Sequence, residues 1–198
     1  MRLNRLEFLA MNNGPRRLHM RLVEFRIFKN LLRRKNICLH GKILLDAACG
    51  SGYSLKLLEK AFQPERLFGF DIMPEQAKLV DRPAKNTYFF LGDITRLALA
   101  DAIFDGIFAF GILHHIDDWI AGAQELHRVL KPGGVLLIEE PNRPAVEFFH
   151  RYFRFDFPKK NRFDWPDFEL KMAQIGFKKL HHTKIYCDCL RAYLWRKI

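Results

Sequence analysis

The stretch "ILLDAACGSGYS", Ile43 to Ser54, decides how the rest of the chain is read. Ile43–Ala47 is a short run of large apolar residues that ends in an acid and small residues, as a strand buried on both faces of a parallel sheet does. Ala48–Gly52 then forms a turn without bulk, where Gly50 and Gly52 permit tight turning and close backbone approach to a ligand. Beyond it Leu55, Leu58 and Phe62 recur at helical spacing until Pro64. A strand that runs through such a turn into a helix can hold a nucleotide. Two familiar versions do not fit. A dinucleotide turn wants G-x-G-x-x-G, and Leu55 stands where the third glycine belongs; the lysine of a phosphate loop is absent.

The pattern alternates outward from this point. "RLFGFD" reads as a second strand, "MPEQAKLVDR" as a helix with Pro74 in its first turn, "TYFFLGD" as a third strand and "FDGIFAFGIL" as a fourth. "DWIAGAQELHRVL" has amphipathic helical spacing, "KPGG" stops it, and "VLLIEE" is a fifth strand. Strands separated by helices this regularly predict a doubly wound α/β sheet. Before it, "RRLHMRLVEFRIFKNLLRR" puts Leu18, Leu22, Phe25 and Leu32 on one side of a predicted amphipathic helix. After it, nine aromatic residues lie between Phe148 and Phe168 among basic ones, followed by a helix, Gly176 and two strands able to pair as a hairpin.

Composition sets the class. The chain has 198 residues, 49% of them apolar and 28% charged, which suits a globular domain. No apolar run approaches the roughly 20 residues needed to span a bilayer. The basic start has no long apolar stretch, so no secretory leader and a cytoplasmic location are expected. The formal charge of +11 is unevenly spread: +8 over residues 1–35, −4 over 36–142 and +7 over 143–198. Basic flanks favour an acidic substrate, a membrane surface or nucleic acid, and equally fit a solvated surface with no partner. Four cysteines without a paired framework read as reduced thiols. His181, His182, Cys187 and Cys189 cluster in sequence, but Ile185, Cys187 and Cys189 share one face of a strand. The cysteines therefore read as small core residues, and no metal site is expected.

In a doubly wound sheet, ligands bind beyond the carboxyl ends of the strands. Those ends carry Asp46, Asp71 and Asp93 here, on three successive strands. Asp71 follows Gly52 by 19 residues, about the spacing at which an acid after the second strand reaches ribose hydroxyls. Asp93 can accept from an exocyclic adenine amine, and Phe110 can pack against a ligand. One such acid alone would read as a turn or helix cap; three in register weaken that reading.

Five segments in order, "ILLDAACGSGY", "FGFDIMPEQ", "FFLGDI", "FDGIFAFGILHHIDD" and "LHRVLKPGGVLLIEEP", resemble the successive motifs of class I S-adenosylmethionine-dependent methyltransferases of small-molecule type. The resemblance covers residues 41–141 and continues more loosely to the end. It implies a Rossmann-like seven-stranded sheet in the order 3-2-1-4-5-7-6, with strand 7 antiparallel. It divides a single domain, 1–198, into an N-terminal helical extension (1–40), a cofactor-binding core (41–141), a substrate-side insert between strands 5 and 6 (142–170) and a terminal helix and hairpin (171–198). Carried across by position, Asp46 and Ala48, Cys49, Gly50, Ser51 and Gly52 would hold the methionine part of S-adenosylmethionine. Asp71 would take the ribose, Ile72 would pack on the adenine, Asp93 would meet its amine and Ile94 the neighbouring edge. Phe110 and Gly111 would face the sulfonium.

Methyl transfer from a sulfonium needs alignment and exclusion of water more than a catalytic group, and a base matters only for an acceptor that carries a proton. His115 is the candidate catalytic residue, although packing or capping outweighs catalysis for it; His150 and Tyr152 are comparable candidates. The segment "FGILHH" lacks the Asn/Asp-Pro-Pro-Tyr/Phe pattern of enzymes that methylate exocyclic base nitrogens. The resemblance therefore implies a small-molecule acceptor, and the basic, aromatic N-terminal and insert segments, which shape the substrate pocket in this family, point to an apolar or aromatic one with an anionic group or presented at a membrane surface; the aromatics equally fit the closing of a small core. An RNA-binding methyltransferase and a cofactor-binding protein without transferase activity remain the alternatives.

Overall fold

A computed structural model describes residues 5–81, 85–153, 158 and 163–198. The strands β1 (Ile43–Ala47), β2 (Arg66–Asp71), β3 (Thr87–Leu91), β4 (Phe104–Phe110), β5 (Leu130–Pro141), β6 (Phe177–Ile185) and β7 (Leu190–Lys197) form one sheet. Its order is β3-β2-β1-β4-β5-β7-β6. The first five strands pair in parallel, and β7 runs antiparallel to both β5 and β6. This is the order the resemblance implies. The chain builds outward from β1 to β3, then returns to place β4 on the other side of β1. The strand order thus reverses at β1, where a crevice opens at the carboxyl ends.

Each face of the sheet is covered because its strands are apolar on both sides. On one face α3 (Phe25–Arg34) and α4 (Tyr53–Phe62) bury Phe28, Leu31, Leu55 and Leu58 against Leu44, Phe108 and Leu194. On the other, α6 (Trp119–Val129) and α8 (Trp165–Ile175) bury Trp119, Leu126, Phe168 and Met172 against Ile107, Ile138 and Trp195. The aromatic segment therefore divides. Phe163, Trp165 and Phe168 belong to this core. Phe148, Phe149, Tyr152 and Phe153 on α7 (Arg143–Phe153) are exposed. Phe155 and Phe157 lie outside the described residues.

Four local expectations are corrected. The predicted N-terminal helix is one helical run from 14 to 34, but not a uniform one: α2 (Gly14–His19) passes through a π-helical turn (Met20–Glu24) into α3, and a separate α1 (Arg5–Met11) precedes it. The wider π turn shifts the helical phase. Phe25 and Leu32 are buried as expected, but Leu18 and Leu22 face solvent and Glu24 turns inward. The helix predicted from Met73 shrinks to one turn, α5 (Pro74–Ala77), because Leu79 N and Val80 N bond back three residues, to Gln76 O and Ala77 O. The "KPGG" segment is part of β5, whose pairing begins at Leu130 directly after α6. Cys187 and Cys189 are exposed instead of core, because β6 stops at Ile185 and both sit in the hairpin turn. There Tyr186, Cys187 and Asp188 have φ of 50°, 53° and 72°, so the alternation of a strand no longer applies.

Candidate active site

The turn after β1 is shaped by backbone. Ala48, Gly50 and Gly52 all have positive φ, at 53°, 55° and 77°, and Gly52 leads directly into α4. Cys49 N donates to Phe70 O at 2.9 Å, which ties the turn to β2. The close fit depends on Gly69: a Cβ there would stand 2.8 Å from Leu55 Cδ2 and 2.9 Å from Cys49 Sγ. Asp71, at the end of β2, completes the link. Its Oδ2 accepts from Gly50 N and its Oδ1 from Met73 N, each at 2.9 Å.

The end of β4 is held by a different acid. Glu140 on β5 is wholly buried and accepts from the backbone amides of Ile112, Leu113 and His114 and from His114 Nδ1. The short 3-10 turn Leu113–His115 follows from this grip. From the other side the N-terminal helices fold over the sheet edge. Glu24 Oε1 accepts from Arg16 Nη1 at 2.6 Å and meets His19 Nδ1 at 2.8 Å, while His19 Nε2 meets the Tyr186 hydroxyl. The Arg17 guanidinium lies over the Tyr53 ring, 5.6 Å from its centre.

Together these elements enclose a cavity of about 540 Å³ at the carboxyl ends of β1 to β4. Of the residues the sequence points to, Ala48, Cys49, Gly50, Ser51, Asp71, Ile72, Asp93, Ile94, Phe110, Gly111 and His115 line it. Asp46 and Gly52 do not. Asp46 lies beneath the turn, fully buried, and Gly52 is the helix cap behind it. His114 turns from the cavity toward Glu140, so only one of the adjacent histidines faces it. His150 and Tyr152, on α7, are not among the lining residues.

Burial sets the electrostatics. Neither carboxylate oxygen of Asp46 meets full hydrogen-bond geometry with a partner among the described residues, although the Ser54 hydroxyl is close enough to act on it. Desolvation pushes its pKa up to about 7, with the Ser54 hydroxyl opposing and Asp71 adding to the shift. Burial also raises Asp71, although the amides of Met73 and Gly50 counter it. The Cys49 thiol is held well above its usual range by burial and then by Asp46. His115 is held well below the usual histidine range, first by burial and then by His114. Its imidazole is therefore neutral at ordinary pH.

Sequence reading missed several wall residues. Met11, Asn12, Arg16, Arg17 and Met20 descend from the N-terminal helices, and Gln76 from α5. Gln76 carried a trace of its role, as a polar residue that ends up buried on a short helix. The N-terminal ones depend on how the helical run that begins with α2 is seated over the strand ends, which no local pattern encodes.

Residues 45–138 match the family profile described as "Methyltransferase domain". Demethylmenaquinone methyltransferase of Geobacillus stearothermophilus is 30% identical over 141 residues, which is 66% of this chain and 59% of that protein. The chain thus spans about three fifths of that relative's length. Among solved structures, the complex between the Haloferax volcanii Trm112 methyltransferase activator and a methyltransferase aligns with a TM-score of 0.78. It covers 96% of this chain and 97% of its own at 18% identity, a likeness of fold. The [4+2]-cyclase SpnF aligns with a TM-score of 0.69 at 16% identity, covering 87% of this chain and 80% of its own.

Proposed function

We propose, because this chain belongs to the class I S-adenosylmethionine-dependent methyltransferases, that it moves a methyl group from S-adenosylmethionine to a small apolar or aromatic acceptor. The observation that carries this reading is that the Ala48–Ser51 turn, Asp71 and Asp93, from the ends of three neighbouring strands, border one cavity. The buried Asp46 fits the same ligand. With a pKa of about 7, its carboxyl would ionise beside a cationic amino group and so complement it.

Asp46, Ala48, Cys49, Gly50, Ser51 and Gly52 would serve the methionine half, and Asp71 the ribose. Ile72, Asp93 and Ile94 would serve the adenine, and Phe110 and Gly111 the wall nearest the reacting carbon. When bound, the cofactor supplies an electrophilic methyl on a sulfonium. The chain aligns the acceptor and excludes water, for which effective molarity is worth several kcal/mol. His115 would take a proton from an acceptor that carries one.

The acceptor class follows from the wall that remains. Met11, Met20, Ile112 and Ile116 are apolar, and Arg16 and Arg17 stand beside them. That combination suits an apolar body with an anionic group. An acceptor of this kind partitions into membranes, and the exposed aromatics of α7 with the basic flanks suit contact with an anionic membrane surface. Among the described residues, no helix is long and apolar enough to cross a membrane. The name of the Geobacillus relative, which acts on demethylmenaquinone, fits an aromatic acceptor.

Titration calorimetry with S-adenosylmethionine, S-adenosylhomocysteine and NAD tests the reading. Binding of the first two without NAD is expected. Binding of NAD alone would overturn it. The SpnF likeness shows that this fold also serves other chemistry, so methyl transfer to an aromatic phenol panel, followed by mass, is the second half of the test.

A further inference from the structure

We propose that Glu140 is a positioning residue that fixes His115 at the cavity wall, where His115 takes a proton from the acceptor. The inference rests on the methyl-transfer reading above. Glu140 is 0% exposed on β5. A carboxylate so placed is costly unless its lone pairs are met, and here each oxygen is met twice. Oε1 accepts from Ile112 N at 3.1 Å and Leu113 N at 2.7 Å. Oε2 accepts from His114 N at 3.3 Å and His114 Nδ1 at 2.7 Å. Three consecutive amides on one carboxylate fix the path of the chain as it leaves β4. The same acid orients the His114 imidazole, whose ring centre lies 4.1 Å from that of His115. Glu140 thus holds the three residues before His115, whose own amide donates to Ile112 O at 2.9 Å, and His114 stands against its ring.

Where this turn sits separates a positioning role from a mere staple. Ile112, His115 and Ile116 line the cavity, on the segment that directly follows Phe110 and Gly111 at the end of β4, whereas His114 does not. The group presented there is a neutral imidazole. In the step it would perform, the acceptor's X–H bond breaks and its electron pair becomes the new X–C bond. The carbon–sulfur bond breaks with its pair left on sulfur, and the proton forms an N–H bond on His115. The imidazolium then releases that proton to water. His114 stands beside the ring, and the charged side chains that share the cavity with His115 are Arg16 and Arg17 from α2, Asp71, Asp93 and Arg96 from the ends of β2 and β3, and Asp117 and Asp118 on its own segment.

The test uses the full chain with histidine ring nitrogens labelled, in wild type, Glu140→Gln, His114→Phe and His115→Asn. Each sample is also titrated with S-adenosylhomocysteine, and methylation of 1,4-dihydroxynaphthalene is followed against pH. Loosening the turn admits water to His115, and burial is the leading cause of its low proton affinity. Its titration midpoint should therefore rise toward the ordinary value of about 6.5 in Glu140→Gln and in His114→Phe. The methylation kcat should fall about 100-fold with KM little changed, and its pH midpoint should follow the ring titration. Adding Glu140→Gln to His115→Asn should cost little more than His115→Asn alone. A His115 titration that stays in place in both variants, or rate losses that multiply, would overturn the inference while S-adenosylhomocysteine binding stands. Wild type that fails to bind S-adenosylhomocysteine would overturn the methyl-transfer reading with it. Should Glu140→Gln fail to fold, His114→Phe carries the same test.

Discussion

Gly50 N donates to Asp71 Oδ2 at 2.9 Å, so the turn after β1 and the acid that ends β2 are one unit. The other oxygen of Asp71 accepts from Met73 N at the same distance. A residue proposed to hold ribose is therefore also the support of the turn proposed to hold methionine.

Asp71→Ala should damage both. It leaves two largely buried amides without an acceptor, at a cost of about 2 to 4 kcal/mol in stability. S-adenosylhomocysteine affinity should fall at least about tenfold. Asp71→Asn retains one acceptor and should lie between. Thermal melts and calorimetry on the same samples check this; a variant with unchanged affinity refutes the assignment of Asp71 to the ligand.

Asp46 makes stability depend on pH in the unusual direction. Its pKa is about 7 in the folded chain against an ordinary 3.8. Between these values the folded state binds more protons than the unfolded one, so stability falls as pH rises. The loss is complete above pH 7 and amounts to something on the order of 3 to 4 kcal/mol. Asp46→Asn should remove that slope. Urea unfolding at pH 5 and pH 8 reads it as the difference between wild type and variant. Because a cationic ligand favours the ionised form, S-adenosylmethionine binding at pH 6 should release a proton in wild type and none in Asp46→Asn. Buffers of different ionisation enthalpy reveal that proton.

Ala48 adopts φ of 53°, a left-handed conformation that costs an L residue with a Cβ about 1 to 2 kcal/mol. Ala48→Gly relieves that strain and returns part of it through the greater freedom of the unfolded chain. A net gain of about 0.5 to 1 kcal/mol is expected, visible as a rise of roughly 1 to 4 °C in Tm. An unchanged or lower Tm would mean that the methyl group of Ala48 contributes contacts worth more than the strain.

What the sequence made legible follows from locality. The strands announce themselves because each is a short apolar run, and a strand end with Asp71 or Asp93 needs only its own neighbours to be recognised. The order of strands came through the resemblance of five motifs, not through any single one. Leu18 and Leu22 were misplaced because one π turn at Met20–Glu24 changes the phase of everything before it. Cys187 and Cys189 were misread because alternation was carried past the end of β6. Arg16 and Glu140 stayed hidden for another reason. Arg16 reaches the wall through the way α2 is seated over the strand ends, and the amides that Glu140 accepts from lie 26 to 28 residues earlier in the chain. Contacts of that range leave no pattern in a local window.

The described aromatics of 148–168 divide between core and surface, and α7 supplies a testable surface. Phe148 and Tyr152 are 53% and 65% exposed, with ring centres 4.8 Å apart, and the exposed Arg143 and Arg151 lie on the same helix. If α7 meets an anionic membrane, both rings enter the headgroup region and the arginines gain from its negative potential. Replacing both rings by serine removes about 1 to 2 kcal/mol of apolar transfer for each. Partition onto vesicles of phosphatidylglycerol and phosphatidylcholine should then weaken about 30-fold or more. Binding by wild type should also weaken as salt rises and be much lower on phosphatidylcholine alone. Because both side chains are exposed, the thermal melt should barely move, which separates lost docking from lost folding. Co-sedimentation over a lipid series measures all of this. Wild type that ignores both vesicle types, or a double variant that binds as wild type does, removes α7 from the route by which an apolar acceptor reaches the cavity.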